Sequence, residues 1–385
     1  MKKINIGFFG TRGLGNYGGF ETIAQKLNDY LDSSRFNLFI SQEVDEQEQE
    51  YLLEKINKTT TLIKQKKTWI KKYSKELDNI INESRIINKC IDENPWNLDV
   101  ILQCGSTPGI LMKKSKESPL IIWNPDGIEW KRAKFPWYAR KILYYSTILG
   151  IKKSDAVSVD SKSIGIDLKK MIESKPEFYL PSGTDIITNE DVQISDLKEF
   201  GIDENNYYIM VGRAVPENNI LEILNYFLET KTSKKLIIIA NFSEDEYSKK
   251  CLDLIQKNSN RIIYKGPVYN QKKLKSLRYF AYAYLHGHSV GGTNPSLLEA
   301  MGAGNPCICY DVPYNKEVAE EAGLYFKNKD EFINCLMELE EDSFEYNLKK
   351  NKAQEIIKKR FTWEYIAKIH EEMILKLLII KKGIV

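Results

Sequence analysis

Hydrophobic positions at the start of the chain form one short continuous run and then a helical stripe. Residues 4–9 are almost all apolar, a glycine-rich loop follows, and residues 20–31 place apolar side chains on one face of a helix. Further short apolar runs, separated by longer segments compatible with helices, lie at residues 36–40, 60–63, 99–103, 120–123 and 156–159. This alternation predicts a parallel sheet that is covered by helices.

The pattern starts again after residues 184–206, a polar and acidic segment that we interpret as a linker. The second set of predicted strands lies at residues 207–211, 235–240, 261–264, 283–285 and 306–310. A chain of 385 residues also exceeds what one core usually holds. We therefore predict an α/β protein with two doubly wound, Rossmann-like domains at residues 1–190 and 191–361, whose strand ends face a central cleft.

Composition and charge exclude several classes of protein. The 42% of hydrophobic and 28% of charged residues are typical of a globular chain, and a formal charge of only +3 gives no reason to expect nucleic acid as a partner. Six scattered cysteines fit reduced, buried thiols better than a metal site. No apolar run approaches the roughly eighteen residues that span a bilayer, and the apolar start lacks the cleavage site of a signal peptide. We expect the protein in the cytoplasm, or peripheral at the inner face of the cell membrane.

One segment of the second half combines a glycine turn, a helix start and a carboxylate. Asn294 suits the N-cap and Pro295 the first helical position, directly after the turn at Gly291 and Gly292. The free amides of such a helix start attract phosphate. Glu299 follows one turn later among apolar neighbours, where a carboxylate usually has a hydrogen-bonding task such as holding ribose hydroxyls. The alternative is an ordinary loop-to-helix junction without a ligand.

Three other residues of the second half are candidates for the same ligand. Arg213 follows the predicted strand at 207–211, so it could pair with a diphosphate and stabilise the charge on a departing nucleotide. Its alternative is a surface salt bridge. Thr293 extends the glycine turn into a backbone nest for the β-phosphate, without any metal. His288 could contact the donor sugar, although a structural histidine at a strand end is the alternative.

The first half carries its own glycine turn and its own acidic loop. Gly18 and Gly19 stand at another helix start, where they could approach phosphates or a reacting sugar. Glycines that serve only a tight turn are the alternative. Asp126, in a loop that also holds Glu129, is the candidate for positioning or deprotonating an acceptor hydroxyl. An ordinary turn aspartate in a Pro-Asp-Gly sequence is its alternative.

Two basic stretches of the first half raise a separate question. Residues 64–75 interleave lysines with Trp69 and other large side chains and contain no acid, and residues 131–141 mix cations with Trp137 and Tyr138. Cations with interfacial aromatics suit peripheral contact with an anionic membrane. For each stretch alone, a solvated helix face is the alternative.

Several motifs together resemble a known family. Those of the second half are VGR at 211–213, GPV at 266–268, GGTNPSLLEAM at 291–301 and GNP at 304–306. Their order and spacing resemble the retaining glycosyltransferases of the GT-B fold, family 4. Those of the first half are GTRG at 10–13, NYGGFET at 16–22 and NPDGIEWKR at 124–132. They resemble the bacterial rhamnosyltransferase subgroup that builds surface polysaccharide, whose N-terminal domain is of the DUF1972 type.

The resemblance implies a retaining glycosyltransferase that uses no metal or other cofactor. It implies a nucleotide-diphospho-sugar donor, best matched by dTDP-L-rhamnose, and a glycan or lipid-diphosphate-linked sugar as acceptor. The implied donor-binding residues are Gly18, Gly19, Arg213, His288, Gly291, Gly292, Thr293, Asn294 and Glu299. The implied acceptor-binding residues are Asn16, Tyr17, Asp126 and Glu129. The implied catalytic residues are Asp126, Arg213 and Glu299, and residues 362–385 are expected to form a helix that packs back on the first domain.

Two departures from the family pattern keep alternatives open. The family places a glutamate where this chain has Gly291, and the lysine usually found after the arginine is absent from residues 217–219. A transferase for UDP-glucose or UDP-N-acetylglucosamine, or an inactive subunit that only binds nucleotide sugar, are therefore alternatives. Gly10, Gly13 and Gly15 also allow a dinucleotide-binding oxidoreductase, but their spacing is not the usual fingerprint.

Overall fold

The computed structural model describes residues 2–16, 18–72, 75–114, 118–131, 136–172 and 175–381. It divides the chain into two compact units. The first comprises residues 1–182 together with residues 363–385, and the second comprises residues 183–362.

The first unit is built on one sheet that has eight strands within the described residues. The strands are β1 (Ile4–Phe9), β2 (Phe36–Val44), β3 (Tyr51–Lys55), β4 (Thr60–Lys66), β5 (Val100–Cys104), β6 (Leu120–Asn124), β7 (Ala156–Val159) and β8 (Glu177–Tyr179). Their order is β3-β4-β2-β1-β5-β6-β7-β8, and all neighbours are parallel except β3 and β4. The helices are α1 (Gly19–Tyr30), α2 (Lys75–Asp92), α3 (Trp137–Lys153) and α4 (Lys162–Ile172).

The second unit contains a sheet of six parallel strands in the order β11-β10-β9-β12-β13-β14. The strands are β9 (Tyr207–Val211), β10 (Lys235–Ile239), β11 (Ile262–Tyr264), β12 (Ala283–His286), β13 (Cys307–Tyr310) and β14 (Gly323–Phe326). The helices are α5 (Ile220–Leu228), α6 (Glu246–Lys257), α7 (Gln271–Tyr279), α8 (Pro295–Gly302), α9 (Pro313–Ala319), α10 (Lys329–Glu341) and α11 (Ser343–Arg360). Apolar clusters fill both faces of this sheet. Two Rossmann-like α/β domains, as predicted, thus make up the chain.

The last helix, α12 (Trp363–Lys381), belongs to the first unit. Its residues Met373, Ile374 and Leu377 join the apolar cluster around β1. Two polar contacts support the packing: the backbone N–H of Asp32 donates to Oε1 of Glu371 at 2.7 Å, and Nζ of Lys381 donates to the carbonyl of Ser118 at 2.7 Å. These contacts give the last helix both an apolar and a hydrogen-bonded attachment to the first unit.

The segment at 184–206, which we interpreted as a linker from its polarity, packs on the second unit. Leu197 and Phe200, on a 3-10 turn, are buried in the core of the second unit. The N–H of Thr184 donates to the carbonyl of Phe361 at 2.7 Å, and the N–H of Ile187 to that of Gly302 at 2.9 Å. Spaced apolar residues therefore bind the segment to the second unit, which comprises residues 183–362.

All six cysteines are buried free thiols. Within the described residues, none of the helices combines the length and apolarity needed to cross a membrane.

Candidate active site

The glycine turn of the second unit leads into α8 as the local sequence predicted. The turn follows β12, and Gly291 has φ of 136°, a backbone conformation that favours glycine. Oδ1 of Asn294 accepts the N–H of Ser296 at 2.9 Å, and Pro295 occupies the first helical position. The amides of the first turn that lack helical partners are the groups that could bind an anion.

His288 and Arg213 meet through the amide of Asn218. Nδ2 of Asn218 donates to the carbonyl of Arg213 at 2.7 Å, and Oδ1 of the same amide lies 2.7 Å from Nδ1 of His288. Because Oδ1 can only accept, Nδ1 of His288 carries a proton. Nδ2 of Asn315 donates to the carbonyl of His288 at 2.9 Å. The imidazole is thus held in place beside the turn, where Thr293 is also buried.

Arg213 lies two residues beyond the end of β9 and is exposed. None of the described carboxylates forms an ion pair with its guanidinium, so the surface salt bridge considered above is not found there. The carbonyl of Val211, at the end of β9, accepts the hydroxyl of Ser296 at 2.9 Å. This bond joins the strand end that carries Arg213 to the first turn of α8.

Glu299 has a protein partner that its apolar neighbours did not reveal. Leu298 and Ala300 are fully buried, but the side chain of Glu299 is 40% exposed. Its Oε2 lies 2.5 Å from Nη2 of Arg278, a side chain that is 3% exposed. The carboxylate is therefore anchored on one side and accessible on the other.

His286, at the end of β12, is part of the core below this turn. Burial lowers the pKa of its imidazole to about 3, and the neighbouring His288 lowers it further, whereas Asn315 acts in the opposite direction. The ring is therefore neutral at physiological pH. Within the described part of the chain its Nε2 has no hydrogen-bond partner.

In the first unit, Gly18 and Gly19 lie at the start of α1, after the loop that follows β1. The buried carboxylate of Glu21 accepts the N–H of Arg12 at 3.0 Å, and a Cβ at Gly18 would lie 1.9 Å from its other oxygen. Asn16 closes the same loop, because its Nδ2 donates to the carbonyl of Arg12 at 2.8 Å. The predicted acceptor residue Tyr17 lies outside the described residues.

Asp126 follows β6 at the same sheet edge, since β1, β5 and β6 are parallel neighbours. It has φ of 62°, in the left-handed region, and its N–H donates to Oδ1 of Asn124 at 2.9 Å. A half-buried aspartate held in this conformation is a reason to consider a functional role. Glu129 begins the next 3-10 turn, where its N–H donates to the carbonyl of Gly127 at 2.9 Å. Among the described residues, no three His, Cys, Asp or Glu side chains are placed to hold a metal ion.

A partly buried acid near this edge was not predicted from the sequence. Glu83 on α2 accepts a hydrogen bond from the hydroxyl of Thr107, just beyond β5. Burial raises the pKa of its carboxyl to about 8, and the nearby Glu43 adds to the shift. Burial also raises the pKa of Glu43 itself. The acidic character of these residues gives no sign of their burial, which depends on tertiary packing.

The two basic stretches differ in the structure. In the stretch at 64–75, Lys64 pairs with Glu54, and Nζ of Lys67 lies 3.2 Å from Oδ1 of Asp45. The chain outside the stretch therefore supplies the acids that the stretch lacks. The side chains of residues 71–76 lie outside the described part.

In the stretch at 131–141, residues 132–135 are outside the described part, and residues 137–141 begin α3. Trp137 and Tyr138 are 69% and 57% exposed, and Nζ of Lys141 lies 5.2 Å from the centroid of the Trp137 ring. Tyr145, one further turn along, is 58% exposed. The helix sequence contains no acid. An aromatic and basic face therefore extends beyond the stretch that the sequence identified.

Two family models match successive parts of the chain. Residues 1–185 match a domain of unknown function, DUF1972. Residues 193–360 match the model described as glycosyl transferases group 1. Among curated proteins, none matches the sequence.

Solved structures share the fold over nearly the whole chain. Sucrose-phosphate synthase from Thermosynechococcus elongatus aligns with a TM-score of 0.77 at 12% identity, over 97% of this chain and 99% of its own. A glycosyltransferase from Rickettsia africae aligns with a TM-score of 0.71 at 13% identity, over 98% of this chain and 99% of its own. Anabaena HepE, solved with UDP, aligns with a TM-score of 0.68 at 15% identity, over 97% of this chain and 100% of its own.

The chain is therefore a glycosyltransferase, and its two Rossmann-like domains match those of GT-B glycosyltransferase structures. In this protein a DUF1972 domain precedes the glycosyl transferases group 1 domain.

Proposed function

We propose that the protein is a retaining glycosyltransferase that works without a metal and transfers L-rhamnose from dTDP-L-rhamnose to a glycan or a lipid-diphosphate-linked sugar, in the synthesis of bacterial surface polysaccharide. The observation that carries the proposal is the arrangement around α8. An exposed arginine, Arg213, and an anchored, accessible carboxylate, Glu299, lie on two elements that the bond from Ser296 to Val211 joins. A cation and a glycine-rich helix start suit a diphosphate, and a carboxylate suits sugar hydroxyls.

The proposed chemistry follows from charge. As the bond between the sugar and the diphosphate breaks, negative charge grows on the phosphate oxygens, and the guanidinium of Arg213 together with the amides at Gly292 and Thr293 stabilises it. His288, fixed by Asn218, contacts the donor sugar. Asp126 in the first domain positions the acceptor hydroxyl or accepts its proton. We assign acceptor contacts in the same domain to Asn16, Tyr17 and Glu129, and ligand contacts to Gly18 and Gly19.

A second candidate donor is UDP-glucose or UDP-N-acetylglucosamine. Anabaena HepE, which shares the fold, has been solved with UDP-glucose. A thermal-shift comparison of dTDP-rhamnose, UDP-glucose, UDP-N-acetylglucosamine and GDP-mannose identifies the donor, because a ligand that binds the folded state raises the melting temperature. The largest shift with a UDP-sugar would exclude dTDP-rhamnose as the preferred donor.

Transfer is tested with the donor so identified and a lipid-diphosphate-linked N-acetylglucosamine acceptor. We expect product in the presence of a chelator, with the anomeric configuration of the donor preserved in the NMR spectrum of the product. Inverted product would contradict the retaining mechanism, and loss of activity with the chelator would contradict metal independence. A protein that binds donor but transfers to none of several acceptors would instead be the inactive subunit, which Gly291 in place of the family's glutamate makes the alternative.

We further propose that the protein is cytoplasmic and contacts the inner face of the membrane through residues 131–141 and, with them, the rest of α3. Exposed Trp137, Tyr138 and Tyr145 beside Lys141 provide interfacial aromatics and positive charge together. The stretch at 64–75 supplies a second contact through its exposed Trp69 and Lys66, since its other described lysines already have acidic partners.

Vesicle flotation tests the membrane proposal. The protein should float with phosphatidylcholine vesicles that contain phosphatidylglycerol, less so at high salt, and not with phosphatidylcholine alone. The variant W137S/Y145S should lose flotation, whereas F344S, which removes an equally exposed ring from the second unit, should keep it. Equal flotation of W137S/Y145S and the wild type would refute the role of α3.

A further inference from the structure

A buried arginine supports the first turns of α8. The side chain of Arg278, near the end of α7, is 3% exposed. Its Nη2 lies 2.5 Å from Oε2 of Glu299 and 3.4 Å from Oγ of Ser296, both on α8. A guanidinium removed from water is costly to the fold unless an anion and acceptors compensate it. Glu299 and Ser296 therefore meet part of the cost of burying Arg278, whose Nε has no hydrogen-bond partner among the described residues.

Arg278 contacts only one of the two carboxylate oxygens of Glu299. The side chain of Glu299 is 40% exposed, and within the described chain its Oε1 has no hydrogen-bond partner. A glutamate on a helix surface normally samples several rotamers, and ordering it costs up to about 2 kcal/mol. The contact of Oε2 with Arg278 restricts these rotamers before any ligand binds. The contact of Oε2 thus holds the carboxylate in place, and Oε1 is available to a ligand.

The second contact of Arg278 leads to β9. The hydroxyl of Ser296 donates to the carbonyl of Val211 at 2.9 Å. The hydroxyl of Tyr284 lies 2.9 Å from the same carbonyl and 2.8 Å from Oγ of Ser296, and its single proton can be donated to either oxygen. Val211 is two residues from Arg213. One buried polar network therefore connects the strand end of the proposed phosphate ligand with the helix of the proposed hydroxyl ligand.

We infer that Arg278 is a positioning residue for the donor: it acts through Glu299, holding that carboxylate in the orientation that binds hydroxyls of the nucleotide. The inference rests on the proposed function, because it requires Glu299 to contact the donor. A side chain that is ordered beforehand loses less entropy on binding. Arg278 does not contact the donor itself, since its guanidinium is buried behind Glu299 and Ser296.

A double-mutant cycle tests the inference, with the affinities of UDP and dTDP measured by isothermal titration calorimetry. The cycle uses whichever of the two nucleotides the wild-type protein binds more tightly. The Glu299→Ala variant should bind this nucleotide more weakly than the wild type does. Arg278→Met should weaken binding roughly tenfold, within the range of coupling between residues that share an ion pair. In the Glu299→Ala background, however, Arg278→Met should change affinity less than about twofold, because the group through which it acts is gone. In transfer assays, KM for the donor should rise and KM for the acceptor should stay unchanged.

Two further variants separate positioning from a general loss of structure. Arg261 is a matched control in the same unit, because its Nη1 and Nη2 bind the carbonyls of Leu228 and Thr232 at 3.1 and 3.2 Å. Arg261→Met should destabilise the unit without changing nucleotide affinity. Arg278→Lys keeps the charge and replaces Arg278→Met in the cycle if the methionine variant does not fold.

The outcomes distinguish the proposed donor site from the positioning role of Arg278. Unchanged affinity in Glu299→Ala would refute the proposed donor site, and the positioning role with it. Weakened binding in Glu299→Ala but not in the Arg278 variants, or losses that multiply in the double variant, would refute the positioning role alone.

Discussion

The hydroxyl of Ser296 donates to the backbone carbonyl of Val211 at 2.9 Å and so ties the first turn of α8 to the end of β9. The two elements are separated by 85 positions in the sequence, and each carries a proposed donor ligand. Arg213 lies just beyond the strand, and Glu299 lies one turn further along the helix. The bond therefore links the two elements that carry these proposed ligands.

We predict that Ser296→Ala weakens donor binding. A hydrogen bond contributes about 1 kcal/mol net, which corresponds to roughly fivefold in affinity if it is expressed fully in binding. The Val211 carbonyl keeps its bond from Tyr284, so no buried acceptor is left unpaired. Ser248→Ala removes a buried hydroxyl that bonds to Asp245 elsewhere in the unit. Calorimetry should show weaker nucleotide binding for Ser296→Ala only; equal affinities in both variants would contradict the link.

Arg213 should be needed for transfer but not for folding. The residue is exposed and has no ion pair among the described residues, so we expect Arg213→Ala to leave the melting temperature nearly unchanged. If its guanidinium stabilises the departing diphosphate, kcat should fall by about 100-fold or more. Arg213→Lys should recover part of this loss, because a lysine keeps the charge without the two-pronged geometry. Lys250→Ala, which removes a surface cation paired with Glu246, serves as control. Full activity of Arg213→Ala would exclude Arg213 from the reaction.

Adjacent glycines in the first unit allow steric fit and ligand approach to be separated. A Cβ at Gly18 would meet Oε2 of Glu21 at 1.9 Å, whereas a Cβ at Gly19 has no neighbour within 4 Å. Gly18→Ala should therefore displace Glu21, break its bond to the N–H of Arg12, and lower stability by about 1–2 kcal/mol.

Gly19→Ala should fold as the wild type does, since the added methyl group lies in open space and a glycine-to-alanine change in a helix is favourable. If a ligand approaches the backbone here, transfer should nevertheless fall, because the methyl group occupies that approach. Thermal melts and transfer rates of both variants provide the test. Full activity of Gly19→Ala would mean that Gly19 serves only the turn.

Periodicity predicted the strands that are buried and the helices that are amphipathic, because burial selects apolar side chains at fixed spacing. It missed β3 (Tyr51–Lys55), whose residues are mostly exposed and which pairs antiparallel at the sheet edge. It also missed the short strands β8 and β14, which have three and four residues. Such segments form because a neighbouring strand offers hydrogen bonds, and their own patterns carry little information.

The candidate site was predictable where local rules apply. Asn294 and Pro295 begin α8 because side-chain capping and a fixed φ act within a few residues. Arg278 was not predictable, since its position in a polar helix gives no hint of burial, and only the fold brings it to Glu299. Asn218, which orients His288, escaped notice for the same reason. Rules based on residue spacing cannot predict polar pairs between residues that are far apart in the sequence.

The last prediction concerns pH and the partly buried acid Glu83. Its carboxyl has a pKa raised by burial from 4.5 to about 8, while the hydrogen bond from Thr107 acts against the shift. The folded state therefore holds the proton more tightly than the unfolded state. Stability from this group is present in full below pH 4.5 and is lost as the pH rises through 8. Glu83→Gln removes the ionisable group and keeps a similar shape, so the variant should resist this loss.

Denaturant unfolding across this pH range provides the measurement. Each pKa unit corresponds to about 1.4 kcal/mol, so above pH 8 we expect Glu83→Gln to be more stable than the wild type by at least about 1 kcal/mol. The advantage should shrink to nothing towards pH 4.5, where the wild-type carboxyl is already protonated. Glu93→Gln, an exposed change that removes the ion pair with Lys89, should show no such dependence. A constant difference between Glu83→Gln and the wild type at every pH would mean that the carboxyl of Glu83 titrates alike in the folded and unfolded states.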